Sequence, residues 1–149
     1  MKIIMKQTQN ILESEVEIRY LEVDDEITAL IRYVENKNTS LIGEDDGKKH
    51  RIKQASIHYI ESVDKKVFIY TEGRVYRSPL RLYQVAKQLN PDAFVQVNKC
   101  CVLNIDMLDS IQTLKNSQLE ATLLSGEKIL VSRTFTPALK KTLDIKRSE

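Results

Sequence analysis

The sequence predicts a mainly β protein, and its patterning after the first third of the chain supports this. Nine or ten short segments alternate between apolar and polar residues or are rich in β-branched and aromatic residues, with turn residues between them. Only two or three helical patterns accompany them. With 149 residues, 42% of them hydrophobic and 30% charged, the chain is long enough to bury a core and is not disordered in composition.

The distribution of charge divides the chain into two parts. Residues 1–46 contain 5 Lys or Arg and 11 Asp or Glu, whereas residues 47–149 contain 18 and 10. A basic body favours a polyanionic partner, although two solvated surfaces of opposite sign would give the same split. We predict an acidic strand-helix extension over residues 1–46, suited to dimerisation or regulation, and a main domain over residues 47–149.

The extension contains one predicted strand and one predicted helix. Glu15–Tyr20 alternates strictly, which is typical of a strand. Asp24 and the acidic residues after it predict a helix start. The apolar positions of this helix recur at intervals of three and four residues: Ile27, Leu30, Ile31 and Val34. Because these elements are too few to bury their own apolar face, we expect the helix to dock on the body or on a partner.

In the body, each predicted element is bounded by residues that favour turns. Glu44–Gly47 predicts a hairpin turn, and Ser78-Pro79 predicts the start of a helix that Asn90-Pro91 ends. A last helix is predicted to start near Thr136. The predicted strands are residues 40–42, 49–53, 57–62, 67–71, 74–77, 94–97, 108–114, 118–124 and 128–132.

Polar residues follow several of the predicted strands. Phe94–Ile111 begins as a buried strand that breaks at Asn98-Lys99, and Ile129–Phe135 presents Ser132-Arg133 just before the last helix. Lys65-Lys66 lies at a further hairpin tip. Asn, Lys, Ser and Arg side chains at the ends of rigid strands have the donor geometry that base edges and phosphates require. Each basic residue alone is more often a solvated charge, and composition leaves DNA, RNA and an acidic protein open as partners.

Catalytic and metal sites are not indicated. Cys100 and Cys101 are adjacent and cannot form an unstrained disulfide, so we interpret them as small packed residues, with a redox-sensing pair as the alternative. His50 and His58 lack a nucleophile motif around them. Asp45-Asp46-Gly47 lacks the ligands of a calcium loop, and four glycines leave no phosphate-binding loop. We therefore predict a binding protein that is not an enzyme and uses no metal, cofactor or small-molecule substrate.

No membrane segment is indicated either. The apolar runs are too short to span a bilayer. Residues 1–6 lack the apolar core and the cleavage site of a signal peptide. We therefore expect a cytoplasmic protein.

Three segments of the body follow one another in a recognisable order. They read IHYIESVDKKVFIYTEGRVYRSPLRLYQVAKQLN, then FVQVNKCCVLNIDMLDSI, then LEATLLSGEKILVSRTFTPALKKTL. The match to this order runs from about Arg51 to Leu143, and the order and spacing of VLNIDML, LLSGEKI and VSR make the combination specific. In these features the chain resembles the LytTR family of bacterial DNA-binding domains.

The resemblance implies an elongated stack of small antiparallel sheets with two or three short helices, which binds duplex DNA as a transcriptional regulator. Loops of such a domain enter adjacent major grooves from one side of the duplex. Carried onto this chain, the DNA-binding residues are Lys65, Lys66, Asn98, Lys99, Ser132 and Arg133. By donor geometry, Arg133 suits a guanine edge or a flanking phosphate, Asn98 suits a base edge, and the lysines suit phosphates.

The resemblance also bears on regulation. Residues 1–46 are too short for the receiver domain of over ~100 residues that many members carry, so Asp24 and Asp25 are expected to cap a helix rather than accept a phosphoryl group. For stand-alone members, the resemblance implies regulation through a homodimer or a membrane-embedded partner protein. The candidate surface is the helix face formed by Ile27, Leu30, Ile31 and Val34. The alternative function is a protein-interaction adaptor with a LytTR-like fold that no longer reads DNA.

Overall fold

The computed structural model describes residues 1–36 and 40–147, and it confirms the mainly β prediction. Ten strands form two antiparallel sheets within these ranges, together with three α-helices. The elements in chain order are α1 (Asp25–Asn36), β1 (Ser40–Asp45), β2 (Lys48–Lys53), β3 (Ile57–Val63), β4 (Lys66–Thr71), β5 (Arg74–Ser78), α2 (Leu82–Gln88), β6 (Phe94–Asn98), β7 (Cys101–Asn104), β8 (Leu108–Thr113), β9 (Leu119–Leu123), β10 (Lys128–Val131) and α3 (Thr136–Arg147). None of the helices in these ranges is long and apolar enough to cross a membrane.

The two sheets are built mainly from hairpins. The larger sheet has the strand order β2-β1-β5-β4-β3-β7-β6, and the smaller sheet has the order β10-β9-β8. Six of the eight strand pairs join strands that follow each other in the chain. Because antiparallel neighbours need only short turns, the turn residues predicted from the sequence connect most of the sheet.

Two apolar cores share the larger sheet. The first, which we call the α2 core, lies between one face of this sheet and α2 and includes Ile57, Ile60, Ile69, Val85, Leu89 and Phe94. The second, the α3 core, lies between the opposite face, the smaller sheet and α3, and includes Val97, Leu103, Ala121, Leu123, Val131 and Leu139. Side chains alternate along β7, so Cys101 and Leu103 belong to the α3 core while Val102 belongs to the α2 core.

A β-bulge in β3 places Ile57 and Ile60, which are three positions apart, on the same face of the sheet. The pairing of β3 with β4 shifts between Ile57 and Tyr59, which makes His58 the extra residue of the bulge. Ile57 and Ile60 consequently face the α2 core. Tyr59 faces the α3 core and stacks on Tyr70, with ring centroids 4.2 Å apart.

Helix α2 starts later than the sequence predicted. The predicted start at Ser78 and Pro79 was wrong, because Ser78 pairs with Val67 as the last residue of β5. The Ser78 hydroxyl accepts a hydrogen bond from the Leu80 backbone N–H at 3.1 Å, and the helix begins at Leu82. Strand pairing therefore outweighs the local preference of Ser-Pro for a helix start. Val85 and Leu89 are buried in the α2 core, and the partly buried Leu82 and Ala86 pack against it.

The acidic extension contains the predicted helix but not the predicted strand. Residues 1–24 form neither helix nor strand, so the strand predicted at Glu15–Tyr20 was wrong for the single chain, where it has no neighbouring strand. Asp24 caps α1 as predicted, because its Oδ1 accepts a hydrogen bond from the Ile27 backbone N–H at 2.8 Å. The domain boundary predicted between residues 46 and 47 falls within the β1–β2 turn and stays a prediction.

Helix α1 contacts the body through Arg32 and Tyr33. The Arg32 Nη1 atom lies 3.6 Å from Asp92 Oδ1. Tyr33 lines a small cavity together with Gln54, Asn90 and Phe94. The four apolar residues singled out from the sequence are half-buried: Ile27, Leu30, Ile31 and Val34. The body thus covers only part of the apolar face of this helix.

Gly43 of β1 sits where the sheet leaves no room for a side chain. A Cβ atom at this position would lie 2.6 Å from Ile52 Cδ1 and 2.7 Å from Tyr76 Cβ. Because Tyr76 Cβ is attached directly to the backbone, we expect Gly43→Ala to lower the free energy of unfolding by roughly 1–3 kcal/mol, measured by urea denaturation. Ile42→Thr, on the other face of the strand, is the control and should cost less. A Gly43→Ala variant of wild-type stability would contradict this packing.

Candidate nucleic-acid interface

Four loops are tied side by side along one edge of the molecule by hydrogen bonds. The β3–β4 hairpin joins the β6–β7 turn through the Ser62 N–H and the Cys100 carbonyl at 2.7 Å. The β6–β7 turn joins the end of β10 through the Ser132 N–H and the Val97 carbonyl at 2.9 Å. The end of β10 joins the β8–β9 loop through Arg133. These contacts fix the spacing of the four loops relative to one another.

We call this row the loop edge. It consists of four segments: residues 64–66, residues 98–100, residues 115–117 and residues 132–133. Five exposed basic residues lie on it: Lys65, Lys66, Lys99, Lys115 and Arg133. Asp64 is the acidic residue among these segments. The loop edge therefore has a net positive charge, which favours contact with a polyanion.

The β3–β4 tip has the conformation of a tight hairpin turn. Asp64 and Lys65 both adopt positive φ, at 50° and 67°, as the two central residues of such a turn require. Lys66 begins β4 opposite Val63. Lys65 and Lys66 are both exposed, so the turn presents their ammonium groups at the end of a rigid ribbon.

Asn98 holds the β6–β7 turn in place. Its Nδ2 donates a hydrogen bond to the Leu130 carbonyl at 2.9 Å, and its Oδ1 accepts one from the Cys100 N–H at 2.8 Å. The half-buried amide therefore uses one donor and one acceptor on the protein and keeps one of each. Beside it, Lys99 is exposed at the tip. In this turn the Asn98 amide holds the backbone in place, and the Lys99 side chain is directed to solvent.

Arg133 links β10 to the β8–β9 loop. Its Nε donates a hydrogen bond to the Asn116 carbonyl at 2.8 Å. Asn116 and Ser117 adopt positive φ, at 65° and 61°, which turns that carbonyl toward the guanidinium. The terminal NH2 groups of Arg133 make no hydrogen bond to the part of the chain that the structure describes, and they remain available as a bidentate donor.

Ser132 positions the start of α3 rather than lying at the surface. The residue is half-buried, and its carbonyl accepts hydrogen bonds from the Phe135 N–H at 3.0 Å and from the Thr136 N–H and hydroxyl at 3.2 Å each. Arg133 therefore projects from the junction of a strand and a helix.

The sequence did not single out the β8–β9 loop as part of the interface. Lys115-Asn116-Ser117 lies between the predicted strands 108–114 and 118–124, and in the structure it joins β8 to β9. Its position beside Arg133 depends on how the smaller sheet packs, which is a contact between residues 17 positions apart. Lys115 was the one signal in the sequence that could have pointed to this loop. The sequence does not distinguish it from other lysines at turns.

The two adjacent cysteines lie in different environments. Cys100 is exposed on the β6–β7 turn, whereas Cys101 is buried in the α3 core. Burial raises the pKa of the Cys101 thiol to about 12, and the charges of Glu61 and Cys100 add to this shift. Cys101 is therefore a packed thiol that stays protonated at neutral pH.

This difference predicts selective alkylation. We expect iodoacetamide at pH 8 to modify Cys100 in the folded protein and to modify both cysteines only after denaturation, as read by mass spectrometry. Cys100→Ser is the control and should leave the folded protein unmodified. Equal modification rates of both thiols in the folded protein would contradict the burial of Cys101.

Comparison with known proteins identifies the body of the chain. The sequence profile of the LytTr DNA-binding domain matches residues 47–144. An uncharacterized HTH-type transcriptional regulator from Staphylococcus aureus (strain MRSA252) is 25% identical over 147 residues, covering 97% of this chain and 99% of that protein. A protein of the same description from strain NCTC 8325 / PS 47 is 24% identical with the same coverage.

The fold is also similar to a solved structure. The LytTr DNA-binding domain of a Bacillus cereus protein, described as a methyl-accepting/DNA response regulator, matches with a TM-score of 0.67 and 18% identity. The match covers 71% of this chain and 97% of that domain. Although these relatives are described as HTH-type regulators, residues 1–36 and 40–147 of this chain contain no helix-turn-helix, because strands separate α1 from α2 and α2 from α3. The profile match covers about two thirds of the sequence, and the chain belongs to the LytTr DNA-binding domain family.

Proposed function

We propose that this protein is a transcriptional regulator that recognises a specific duplex DNA sequence, with the loop edge as its contact surface. Residues 47–144 form a LytTr DNA-binding domain, and relatives that align along their whole length are described as transcriptional regulators. The activity is binding rather than catalysis, and the partner is double-stranded DNA.

The observation that carries the proposal is the hydrogen-bonded row of four basic loops. Loops held at fixed spacing by rigid strands can approach a duplex without first becoming ordered. The exposed lysines at three of the tips, Lys65, Lys99 and Lys115, suit phosphates on both sides of a groove. The region that carries these loops is also basic overall, since residues 47–149 contain 18 Lys or Arg and 10 Asp or Glu.

Within this surface, the residues have different roles. Arg133 is the candidate for base reading, because its terminal NH2 groups form a planar fork and its Nε is held by the Asn116 carbonyl. Lys65, Lys66 and Lys99 contact phosphates. Asn98 holds the β6–β7 turn in its shape, and its remaining N–H can donate to a base edge. Ser132 positions Arg133.

The test is direct binding of the full chain to labelled DNA. Fragments of its own promoter region are compared with unrelated duplexes of equal length, by fluorescence anisotropy at several salt concentrations. We expect one fragment to bind selectively and log K to fall linearly with log salt, with a slope of about −0.9 per phosphate neutralised. A single-stranded form of the selected fragment should bind more weakly.

Failure of this test would favour the adaptor function. Weak binding that does not discriminate between fragments would show that the loop edge attracts polyanions without reading a sequence. Absence of binding would point to a protein partner for the acidic extension.

We also propose that the apolar face of α1 is a partner surface, used in a homodimer or with a membrane-embedded regulatory protein. Its support is the half-burial of Ile27, Leu30, Ile31 and Val34, which leaves apolar surface uncovered. Hydrogen exchange tests this, since partner binding should protect the amides of residues 24–36. Unchanged protection of these amides on addition of the partner would contradict the proposal.

A further inference from the structure

We propose that residues 13–17 of one copy pair as an antiparallel strand with the free edge of β2 in a second copy, so that two copies exchange their N-terminal arms. We call residues 1–24 the arm. The exchange requires only the arm and β2, and it is independent of DNA binding.

The arm has the sequence of a strand but no strand to pair with. Glu15–Tyr20 alternates strictly, yet residues 1–24 form no regular structure. Its apolar residues other than the half-buried Ile18 are exposed, with Val16 at 68% and Leu21 at 103% of full exposure. Its ion pair, between Arg19 and Glu17 at 3.4 Å, joins two residues of the arm itself. An alternating segment with exposed apolar side chains is typical of a strand that pairs with a separate sheet.

Strand β2 offers an edge for such pairing. It lies at one end of the seven-stranded sheet, and in residues 1–36 and 40–147 its strand partner is β1 alone. In an antiparallel pair every second residue directs its N–H and C=O groups away from the partner. The outer side of β2 therefore presents a row of unpaired backbone groups, which is a template for an added strand.

The charges of the arm and of this edge are complementary on one face. Lys49, Arg51 and Lys53 alternate along β2, so they lie on the same face, and all three are exposed. Glu13, Glu15 and Glu17 alternate in the same way in the arm. An antiparallel register that places Glu15 opposite Arg51 also places Glu13 opposite Lys53 and Glu17 opposite Lys49. All three cross-strand pairs then join opposite charges, which stabilises a sheet.

The other face of this register is compatible with packing. Val16 would lie opposite His50, whose ring centroid lies 5.3 Å from that of Tyr76. Ser14 would lie opposite Ile52, which belongs to the α2 core. The small apolar side chain of Val16 would thereby extend the apolar surface next to this core instead of remaining in water.

A second copy is the occupant that we infer. Within the single chain, every residue of the arm except Ile18 is exposed, and the arm forms no strand at this edge. Each copy has one arm and one edge, so an exchange between two copies satisfies both arms and both edges and closes with twofold symmetry. A regulator assembled this way would present two loop edges to one duplex.

Charge reversal tests the proposed pairing. The arm variant carries Glu13→Lys, Glu15→Lys and Glu17→Lys, and the edge variant carries Lys49→Glu, Arg51→Glu and Lys53→Glu. Analytical ultracentrifugation should show a dimer for the wild type and a dissociation constant raised at least about tenfold for each variant, because three attractive pairs become repulsive. An equimolar mixture of the two variants should restore the dimer, since each arm then meets an edge of opposite charge.

A backbone substitution provides a second measurement. Glu15→Pro removes the backbone donor that faces Arg51 in the middle of the paired segment and should also dissociate the dimer, whereas Thr8→Pro, in the same arm but outside that segment, should not. Hydrogen exchange should protect the amides of Glu13, Glu15 and Glu17, which face β2 in this register, only at concentrations where the dimer forms.

Three results would overturn the proposal. The first is a wild-type protein that stays monomeric at 200 μM. The second is a dimer that survives both charge reversals and is lost on Leu30→Asp. That result would place the interface on α1. The third is concentration-independent protection of residues 13–17 in a monomer, which would show that the arm pairs with its own chain. DNA binding should also be measured with the variants that stay monomeric. If they still bind DNA, failure of the arm exchange leaves the proposed function intact.

Discussion

Replacing Arg133 by alanine is expected to weaken binding to the selected DNA fragment by roughly 5- to 150-fold, or about 1–3 kcal/mol. The guanidinium is held by the Asn116 carbonyl at 2.8 Å, so its terminal NH2 groups are oriented before DNA arrives. The measurement is fluorescence anisotropy with the selected fragment and with single-base variants of it. Loss of an oriented base contact should reduce the discrimination between these fragments as well as the affinity.

Two further substitutions separate base reading from charge. Arg133→Lys keeps the positive charge but removes the planar fork, so it should retain binding to unrelated DNA and still lose selectivity. Arg74→Ala is the matched control, because Arg74 is exposed on β5, away from the loop edge, and pairs with Asp45 at 3.8 Å. If Arg133→Ala weakened selected and unrelated fragments equally, Arg133 would be a phosphate contact and not a reader of sequence.

Replacing Leu139 by alanine is expected to lower the free energy of unfolding by about 2–5 kcal/mol. Leu139 is fully buried in the α3 core and is the side chain that inserts α3 between the two sheets. Truncation would leave a cavity beneath β6, which carries Asn98, and β10, which leads into Ser132 and Arg133. The measurement is the urea midpoint at constant m-value.

Leu130→Ala is the control for Leu139→Ala. Leu130 lies on β10 close to the same region, but its side chain is 46% exposed, so its truncation should cost at most about 1 kcal/mol. Its carbonyl, which accepts the Asn98 hydrogen bond, is unaffected by the substitution. Equal destabilisation by the two substitutions would contradict the assignment of Leu139 to the core.

Most of the fold could be predicted because it is local. Strands such as β3 and β4 alternate in sequence and are joined by turns whose residues adopt positive φ, as at Asp64 and Lys65. Six of the eight strand pairs connect successive strands, so pattern and turn chemistry suffice to specify them. The helix capped by Asp24 follows from equally local signals.

The predictions that failed depend on distant contacts. Ser78 was predicted to cap a helix, but its pairing with Val67 keeps it in a strand. Glu15–Tyr20 has the pattern of a strand but lacks a partner in the single chain. In both places the local preference was recognised correctly and the tertiary environment decided the outcome.

The candidate site shows the same division. Lys65, Lys99 and Arg133 were identified as residues at strand ends, and the structure places their segments in one row. The hydrogen bond from Arg133 to Asn116 and the structural use of the Asn98 amide could not be predicted, because they require the packing of the smaller sheet against the larger one. The DNA contacts of all these residues stay predictions.

The sharing of strands between the two cores has a consequence for cooperativity. Neighbouring residues of β7, Val102 and Leu103, belong to different cores, so neither core can lose its packing while the other keeps an intact strand. The body should therefore unfold in a single transition rather than in two. A ligand bound at the loop edge would then raise the stability of α2 as much as that of α3, although α2 packs in the other core.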